Sequence, residues 1–374
     1  FMPVQAPLQD LPALYAPWEA IANHLPRHYA ALSLRAAIDS LPLLPAYREH
    51  LPDRYLLRAA SVLAMLTHAY YYVETRPPEK LPEQLMLPWQ TVRERLGRDQ
   101  AVLSYIDLIV YNWGLRDPNR ADPFRIDNMY LLIPTVNTAP EQIFYLTQAE
   151  ILAQCSPIVG AVVRSHEAIA NRDDLALITE LRNITECLRR VVRDSLFKIN
   201  PNPYGPNFVE PVTWARTVAP FAVPIEKGML GPSGTSSPVF NLLDSFLGRH
   251  KNASFLGKEI RALRRTYPRY WRRFLEAVEE MSLADYVASS SNVDLKGVFR
   301  EVSDVYVGDN GFLGRHRLKV YGYLELAFKV GRSVTIGGFS GMFQERTWDQ
   351  VDSELEYSRV ERVQSFPRGS HTAT

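Results

Sequence analysis

Apolar side chains recur every three or four residues along most of this chain, the spacing of one face of an α-helix. Leu56, Ala59, Leu63, Leu66 and Tyr70 follow that rhythm and predict a helix from Arg54 to Val73. A longer helical stretch is predicted from Gln142 to Ala170, kinked or broken at Pro157, because a proline inside a helix removes a backbone donor and crowds the preceding turn. A third stretch, Asp173 to Phe197, ends at Asn200-Pro-Asn-Pro203. Pro268 to Met281, Asp294 to Val307 and Phe312 to Val330 are three more. No succession of alternating segments with regularly spaced turns is present, so the pattern predicts an all-α fold.

Proline-rich joints divide this pattern. Asp117-Pro-Asn119 and Asp122-Pro123 separate a smaller N-terminal helical domain, residues 1–122, from a large helical domain, residues 123–374. From Asn200 to about Ser237 the periodicity lapses. Irregular stretches of that length are usually functional or disordered, and one carrying Trp214, Phe221 and a glycine-serine loop is poor material for disorder. The tail from Phe366 to Thr374 is expected to fray. There is no internal repeat.

Charge and cysteine usage narrow the class. Lys and Arg together number 42 against 41 acidic residues in 374. Such balance leaves no electrostatic footprint for nucleic acid or for an anionic membrane. No uninterrupted apolar run approaches the ~20 residues of a membrane span; the stretch Ser61 to Val73 is broken by Thr67 and His68. The first residues show neither a basic segment nor an apolar one of the secretory kind. Cys155 and Cys187 alone make neither a disulfide framework nor a zinc site, and a reducing cytoplasm is the simplest expectation.

The histidines are the first place to look for chemistry. His24 and His28 are four apart, but Pro26 breaks the face that a metal pair would share. His50, His250 and His371 flank loops or ends, and His68 and His166 read as packed or surface imidazoles on helices. His316 lies on an apolar stripe of Leu313, His316, Val320, Leu324 and Ala327, which points its ring into a core. A satisfied core histidine and a ligand are both open on that pattern. Thr335-Ile-Gly-Gly-Phe-Ser-Gly341 is either a flexible connector or a loop whose backbone can approach a ligand closely. Gly231-Pro-Ser-Gly-Thr-Ser-Ser-Pro238 precedes a helical run, Val239 to Leu247, that Ser236 or Ser237 could cap, with Pro238 in the first turn. Free amides at such a terminus suit an anionic group. No phosphate loop, serine elbow, zincin or dinucleotide fingerprint is present.

Taken in order, these segments resemble the indoleamine/tryptophan 2,3-dioxygenase superfamily from about Leu11 to Phe343. Leu14-Tyr-Ala-Pro-Trp-Glu-Ala-Ile-Ala-Asn-His-Leu-Pro26 looks like the family's N-terminal segment. Tyr105-Ile-Asp-Leu-Ile-Val-Tyr-Asn-Trp-Gly-Leu-Arg-Asp-Pro-Asn119 matches its Tyr-x-Asp-x-x-x-x-Asn-Trp-x-x-x-Asp-Pro-Asn run without a gap. Glu186-Cys-Leu with Asn200-Pro201, and Ser236-Ser-Pro-Val-Phe-Asn-Leu-Leu-Asp-Ser-Phe-Leu-Gly248, follow in place.

The resemblance implies an all-α, haem-binding enzyme with haem b as cofactor, and molecular oxygen and a small aromatic indole as partners. His316 would be the axial ligand of the haem iron. Tyr105, Phe144, Tyr145 and the polar position Gln148, with Thr147 as the shifted alternative, would line the distal pocket. Ser233 and Gly234 would form its roof. Arg216 would meet a substrate carboxylate, and Asp244 would pair near the proximal side, with Arg315 as one partner, or stand as a surface charge. Thr335, Ile336, Gly337 and Gly338 would form the substrate loop.

Ile336 departs from the family, which has threonine there, and Phe339 adds bulk. The implied reaction is oxygenation of an indole or tryptophan-type substrate, with C2–C3 cleavage favoured. The alternatives are monooxygenation or rearrangement of a modified amino acid, a non-catalytic oxygen carrier, and a haem-free helical protein.

Overall fold

The computed structural model describes residues 2–3, 6–74, 76–225, 229–249, 255–329 and 348–364. In the N-terminal part the helices are α1 (Ala16–Asn23), α2 (Leu25–Ala30), α3 (Leu34–Asp39), α4 (Leu56–Tyr72) and α5 (Glu83–Leu96). The middle of the chain forms α6 (Ala139–Gln154), α7 (Ser156–Ala170), α8 (Asp174–Asp194), α9 (Pro211–Thr217) and α10 (Pro238–Phe246). The remainder forms α11 (Phe255–Leu263), α12 (Arg269–Glu280), α13 (Leu283–Ser289), α14 (Val293–Val307), α15 (Phe312–Lys329) and α16 (Trp348–Gln364). Among the described residues the only strands are a two-residue antiparallel pair, Gly114–Leu115 with Met129–Tyr130. The all-α expectation holds.

Helix α4 is apolar all round and correspondingly buried, with Ala59 through Ala69 enclosed along its whole circumference. Its one buried cation, Arg58, makes a two-point ion pair with Glu19 of α1 at 3.0 and 2.6 Å, which fixes α1 on α4. Helix α8 shows the opposite design. Leu177, Leu181, Ile184, Leu188 and Val191 form a buried stripe packed on α7 and α14, and Asp173 caps its first turn by accepting from the Ala176 amide at 3.0 Å. One continuous apolar core runs from Leu11 to Tyr323 and crosses residue 122 without interruption.

Four sequence expectations change. The helix predicted over 142–170 is two helices, ending and restarting at Cys155, with Pro157 in the first turn of α7 where its missing donor costs nothing. Ala139–Ala170 as a whole is apolar and long enough to cross a membrane, contrary to the reading from uninterrupted runs alone; half of its apolar window is buried inside this fold. The stretch 200–237 is not irregular throughout. It contains α9, started by Pro211 and capped by Glu210, whose carboxylate accepts from the Val212 and Thr213 amides, together with 3-10 turns at Ala219–Ala222 and Gly234–Ser236. Elements this short do not fill enough turns to show a period. Ser236 and Ser237 do not cap α10 with their side chains: Ser237 occupies the cap position without that bond, and the Ser236 hydroxyl donates to the Ser233 carbonyl at 2.6 Å. Pro238 does open α10.

Candidate functional site

A single π-turn, Ile106–Val110, carries the first site residue. Wide turns of this kind are uncommon and need support. Here Asp107 supplies it: buried, it accepts from the Ser104 amide and hydroxyl at 3.1 and 2.7 Å and from Arg98 at 2.8 and 2.9 Å. Asn112 closes the far side, exchanging hydrogen bonds with both backbone groups of Ile133 at 2.7 and 3.1 Å, and the Trp113 indole donates to the Val110 carbonyl. The polar residues of the Tyr-x-Asp…Asn-Trp run thus hold the backbone in shape, and Tyr105 at its head is left to face inward. Tyr105 is 5% exposed, its hydroxyl lies beside Ser237, and burial pushes its phenol well above the usual range.

Ser237 belongs to the second part of the site, the segment leading into α10. Ser233 is buried and caps the 3-10 turn. The segment's backbone is held from below: Asn241 donates to the carbonyls of Thr235 and Ser237 at 3.2 and 3.1 Å, Tyr267 donates to the Ser236 carbonyl, and Arg264 donates to the Asn241 side-chain oxygen at 2.7 Å. Gly234 is exposed, and a methyl group built on it would meet nothing within 4 Å. Sequence pattern offers no sign that Asn241, Arg264 and Tyr267 act together, because 23 residues separate Arg264 from Asn241.

The third part is the start of α15. Gly314 lets the preceding turn lie directly on the helix, since a Cβ there would stand 2.4 Å from the Asp309 carbonyl oxygen and 2.5 Å from that of Gly308. Two residues later comes His316. Phe312 stacks along its ring at 6.2 Å and 10°, and Phe240 of α10 meets it edge-on at 6.2 Å. The ring makes no hydrogen bond to any described residue. It lies deep enough that desolvation draws its pKa down to about 4, yet it remains only half-buried, with part of its surface open. At neutral pH it is a neutral imidazole. The side chains of Val320, Leu324 and Ala327, which completed the predicted stripe, lie outside the described residues.

An aromatic chain joins α15 to α6. Tyr323 meets Trp214 of α9 at 5.4 Å, and Trp214 meets Phe144 of α6 at 5.3 Å. Phe144 is half-buried, Tyr145 is buried at 3%, and the Gln148 amide is turned back to the Phe144 carbonyl at 3.3 Å. Thr147, the alternative polar position, is fully enclosed, and its hydroxyl has no hydrogen-bond partner among the described residues. Arg216 is exposed in the last turn of α9, two residues beyond Trp214.

The start of α10 thus connects to both groups: the Ser233–Ser237 segment leads into it, with Tyr105 beside Ser237, and its Phe240 meets His316. Phe144 joins through Trp214. Thr335, Ile336, Gly337, Gly338 and Phe339 lie outside the described residues. Asp244 is a correction: it is neither a surface charge nor paired with Arg315. Buried at 2%, it forms a two-point ion pair with Arg362 of α16 at 3.0 and 2.7 Å and accepts from the Tyr306 hydroxyl at 3.0 Å, because its face of α10 is turned toward α14 and α16.

The indoleamine 2,3-dioxygenase family profile matches residues 1–202, more than half of the chain. The chain belongs to the indoleamine 2,3-dioxygenase family. Rat indoleamine 2,3-dioxygenase 1 is 27% identical over 319 residues, covering 79% of this chain and 75% of that one. Indoleamine 2,3-dioxygenase nanC of Aspergillus nanangensis is 26% identical over 346 residues, covering 87% and 84%. The 6-hydroxytryptophan 2,3-dioxygenase fscD of Fusarium equiseti is 25% identical over 316 residues, covering 78% and 74%.

Indoleamine 2,3-dioxygenases are haem enzymes, and the residues present fit a haem. A fifth iron ligand must offer a neutral nitrogen lone pair that no other partner occupies. His316 meets that condition: it is neutral, bound to no described hydrogen-bond donor or acceptor, and flanked by two aromatic rings. Among the described residues no group of three His, Cys, Asp or Glu side chains could hold a bare metal ion.

Proposed function

We propose that this chain is a haem-dependent dioxygenase of indole or tryptophan-type substrates, with haem b held by His316. The observation that carries the reading is the neutral, half-buried His316 imidazole, bonded to no described residue and set against Phe312 and against Phe240 of α10. Bound there, the haem supplies the oxygen chemistry, and the protein supplies orientation and dryness. Indole is electron-rich at C2 and C3, so the pocket needs no acid–base pair. Tyr105 and Phe144 offer apolar walls for a flat ring, and Tyr145 backs them. The Ser233–Gly234 turn closes the roof, where open space beside Gly234 leaves room for a ligand. Gln148 or Thr147 is the polar group nearest that wall. A reducing cytoplasm, molecular oxygen as co-substrate, and a division of the chain at residue 122 complete the proposal.

The polar end of the substrate is where this chain departs from its family. Arg216 is the anchor we assign to a carboxylate. Ile336 stands where a threonine hydroxyl is expected, with Thr335 as its neighbour. That exchange favours a second reading, in which the preferred indole carries a modified amino-acid end.

Titrating the ferric Soret band with L-tryptophan, 6-hydroxytryptophan and neutral indoles, followed by product mass under labelled oxygen, tests both readings. Product carrying two labelled atoms supports the dioxygenase. A charge-assisted bond from Arg216 contributes roughly 1.5–3 kcal/mol, so Arg216→Leu should weaken carboxylate-bearing substrates about ten- to a hundredfold and spare neutral indoles. L-Tryptophan turnover at ordinary dioxygenase efficiency overturns the Ile336 reading, and no indole binding at all overturns the function.

A further inference from the structure

A cleft of about 620 Å³ opens between the N-terminal helices and α12. None of the site residues described above lines it. Its charge is one-sided: Arg48, Arg95, Arg269 and Arg273 face it, with Asp53 as the single carboxylate, while the chain as a whole is balanced at 42 to 41. Leu56, Leu57 and Leu96 add apolar surface.

The four arginines fall into two pairs. Arg48 and Arg95 both bond to Asp53, and Arg95, only 16% exposed, is fixed further by the Ala46 carbonyl at 2.9 Å. Asp53 therefore balances one of that pair's two charges and holds both side chains. Arg269 and Arg273, one helical turn apart on α12, have no carboxylate partner and no hydrogen bond among the described residues. Three other exposed arginines, one of them beside the cleft, do find carboxylates: Arg164 pairs with Glu180, Arg189 with Glu301, and Arg265 with Asp99; what sets Arg269 and Arg273 apart is that both face one cleft. Arg269 is also held in place. Gly97 ends α5 with φ +70°, and a Cβ there would come within 3.0 Å of both the Arg269 Cβ and its Nε. The first turn of α12 opens into the same cleft and adds the positive end of its dipole.

We propose that this cleft is a binding site for a small organic anion, a phosphate ester with an apolar body, with Arg269 and Arg273 as its primary contacts. Paired guanidinium groups match phosphate geometry and supply charge-assisted bonds, and the leucine floor favours an apolar remainder over free phosphate.

Calorimetric titration of the haem-loaded protein with phenyl phosphate and with inorganic phosphate, each against chloride at equal ionic strength, tests it. One saturable site is expected, tighter for phenyl phosphate. Arg269→Ser combined with Arg273→Ser should weaken it roughly tenfold or more with haem content unchanged. Asp53→Asn should tighten it by freeing Arg48 and Arg95, a gain that misfolding cannot imitate. Binding no stronger than chloride, equal affinity in the double variant, or no preference for the phenyl ester overturns the proposal.

Discussion

The two sides of the site are built from opposite materials. Around His316 the described neighbours are aromatic, Phe312 and Phe240, and the imidazole bonds to none of the described residues. Around the Ser233–Ser237 roof nearly every contact is a directed hydrogen bond, with Asn241, Tyr267 and Arg264 holding three successive carbonyls in place. Apolar packing encloses a ring without claiming its lone pair, whereas hydrogen bonds specify where a backbone sits to within a few tenths of an ångström. The first arrangement keeps a ligand atom free, and the second keeps a shape fixed. Damage to the histidine side should therefore change how much cofactor is held, and damage to the roof should change stability and geometry first.

The largest effect is expected from His316→Ala. It removes the one neutral imidazole at the site and leaves the aromatic enclosure in place. Purified variant should lose most of its haem, or hold it with a foreign ligand and an altered Soret band, while helical content by circular dichroism stays near that of the parent. Wild-type haem content with a wild-type spectrum would break the comparison at its proximal side.

Next is Asn241→Leu, which keeps the branched shape with a somewhat larger volume. It deletes donors to Thr235, Ser237 and Tyr267 and leaves the Arg264 Nε without its acceptor. A buried partner left unmatched costs about 1–3 kcal/mol and each lost bond about 1 kcal/mol, so the unfolding free energy should fall by ~2–4 kcal/mol in denaturant titration. Haem per folded molecule should stay near wild type. Loss of haem at unchanged stability would show that the roof is part of the cofactor's grip and not only of the pocket's shape.

Legibility from sequence follows the same division. Long helices were readable because several turns of periodic apolar positions outvote any local exception: α4, α8, α12, α14 and α15 lie where the spacing predicts them. Short elements were not. Helix α9 has seven residues, and the π-turn at Ile106–Val110 has no periodicity of its own. His316 was visible as an imidazole on an apolar stripe, but the stripe could not distinguish a satisfied histidine from an unbonded one; only the absence of any partner among the described residues does. The Tyr105 run matched its family in sequence, while the work of its polar members was hidden: Asp107 and Asn112 bond backbone, not ligand. Asp244 was misread because its partner, Arg362, lies 118 residues away and was linked to it by no local pattern.

The smallest expected effect sharpens the comparison most, because it acts where roof and pocket meet. Tyr105 presents its ring to the proposed pocket and its hydroxyl to Ser237. Burial raises that phenol well above its usual range, so it stays protonated at neutral pH. Tyr105→Phe keeps the ring and removes the hydroxyl beside Ser237, at a cost of no more than about 0.5–1.5 kcal/mol in stability. If the hydroxyl serves only the roof, indole affinity read from the Soret shift should move by less than about threefold, since an interaction of that size is spent within the protein, and the pH profile of turnover should keep its shape. A fall in kcat of tenfold or more at unchanged stability would place the hydroxyl on the substrate. The roof would then be chemically active, and fixed geometry would no longer suffice to describe what the hydrogen-bonded side of this site contributes.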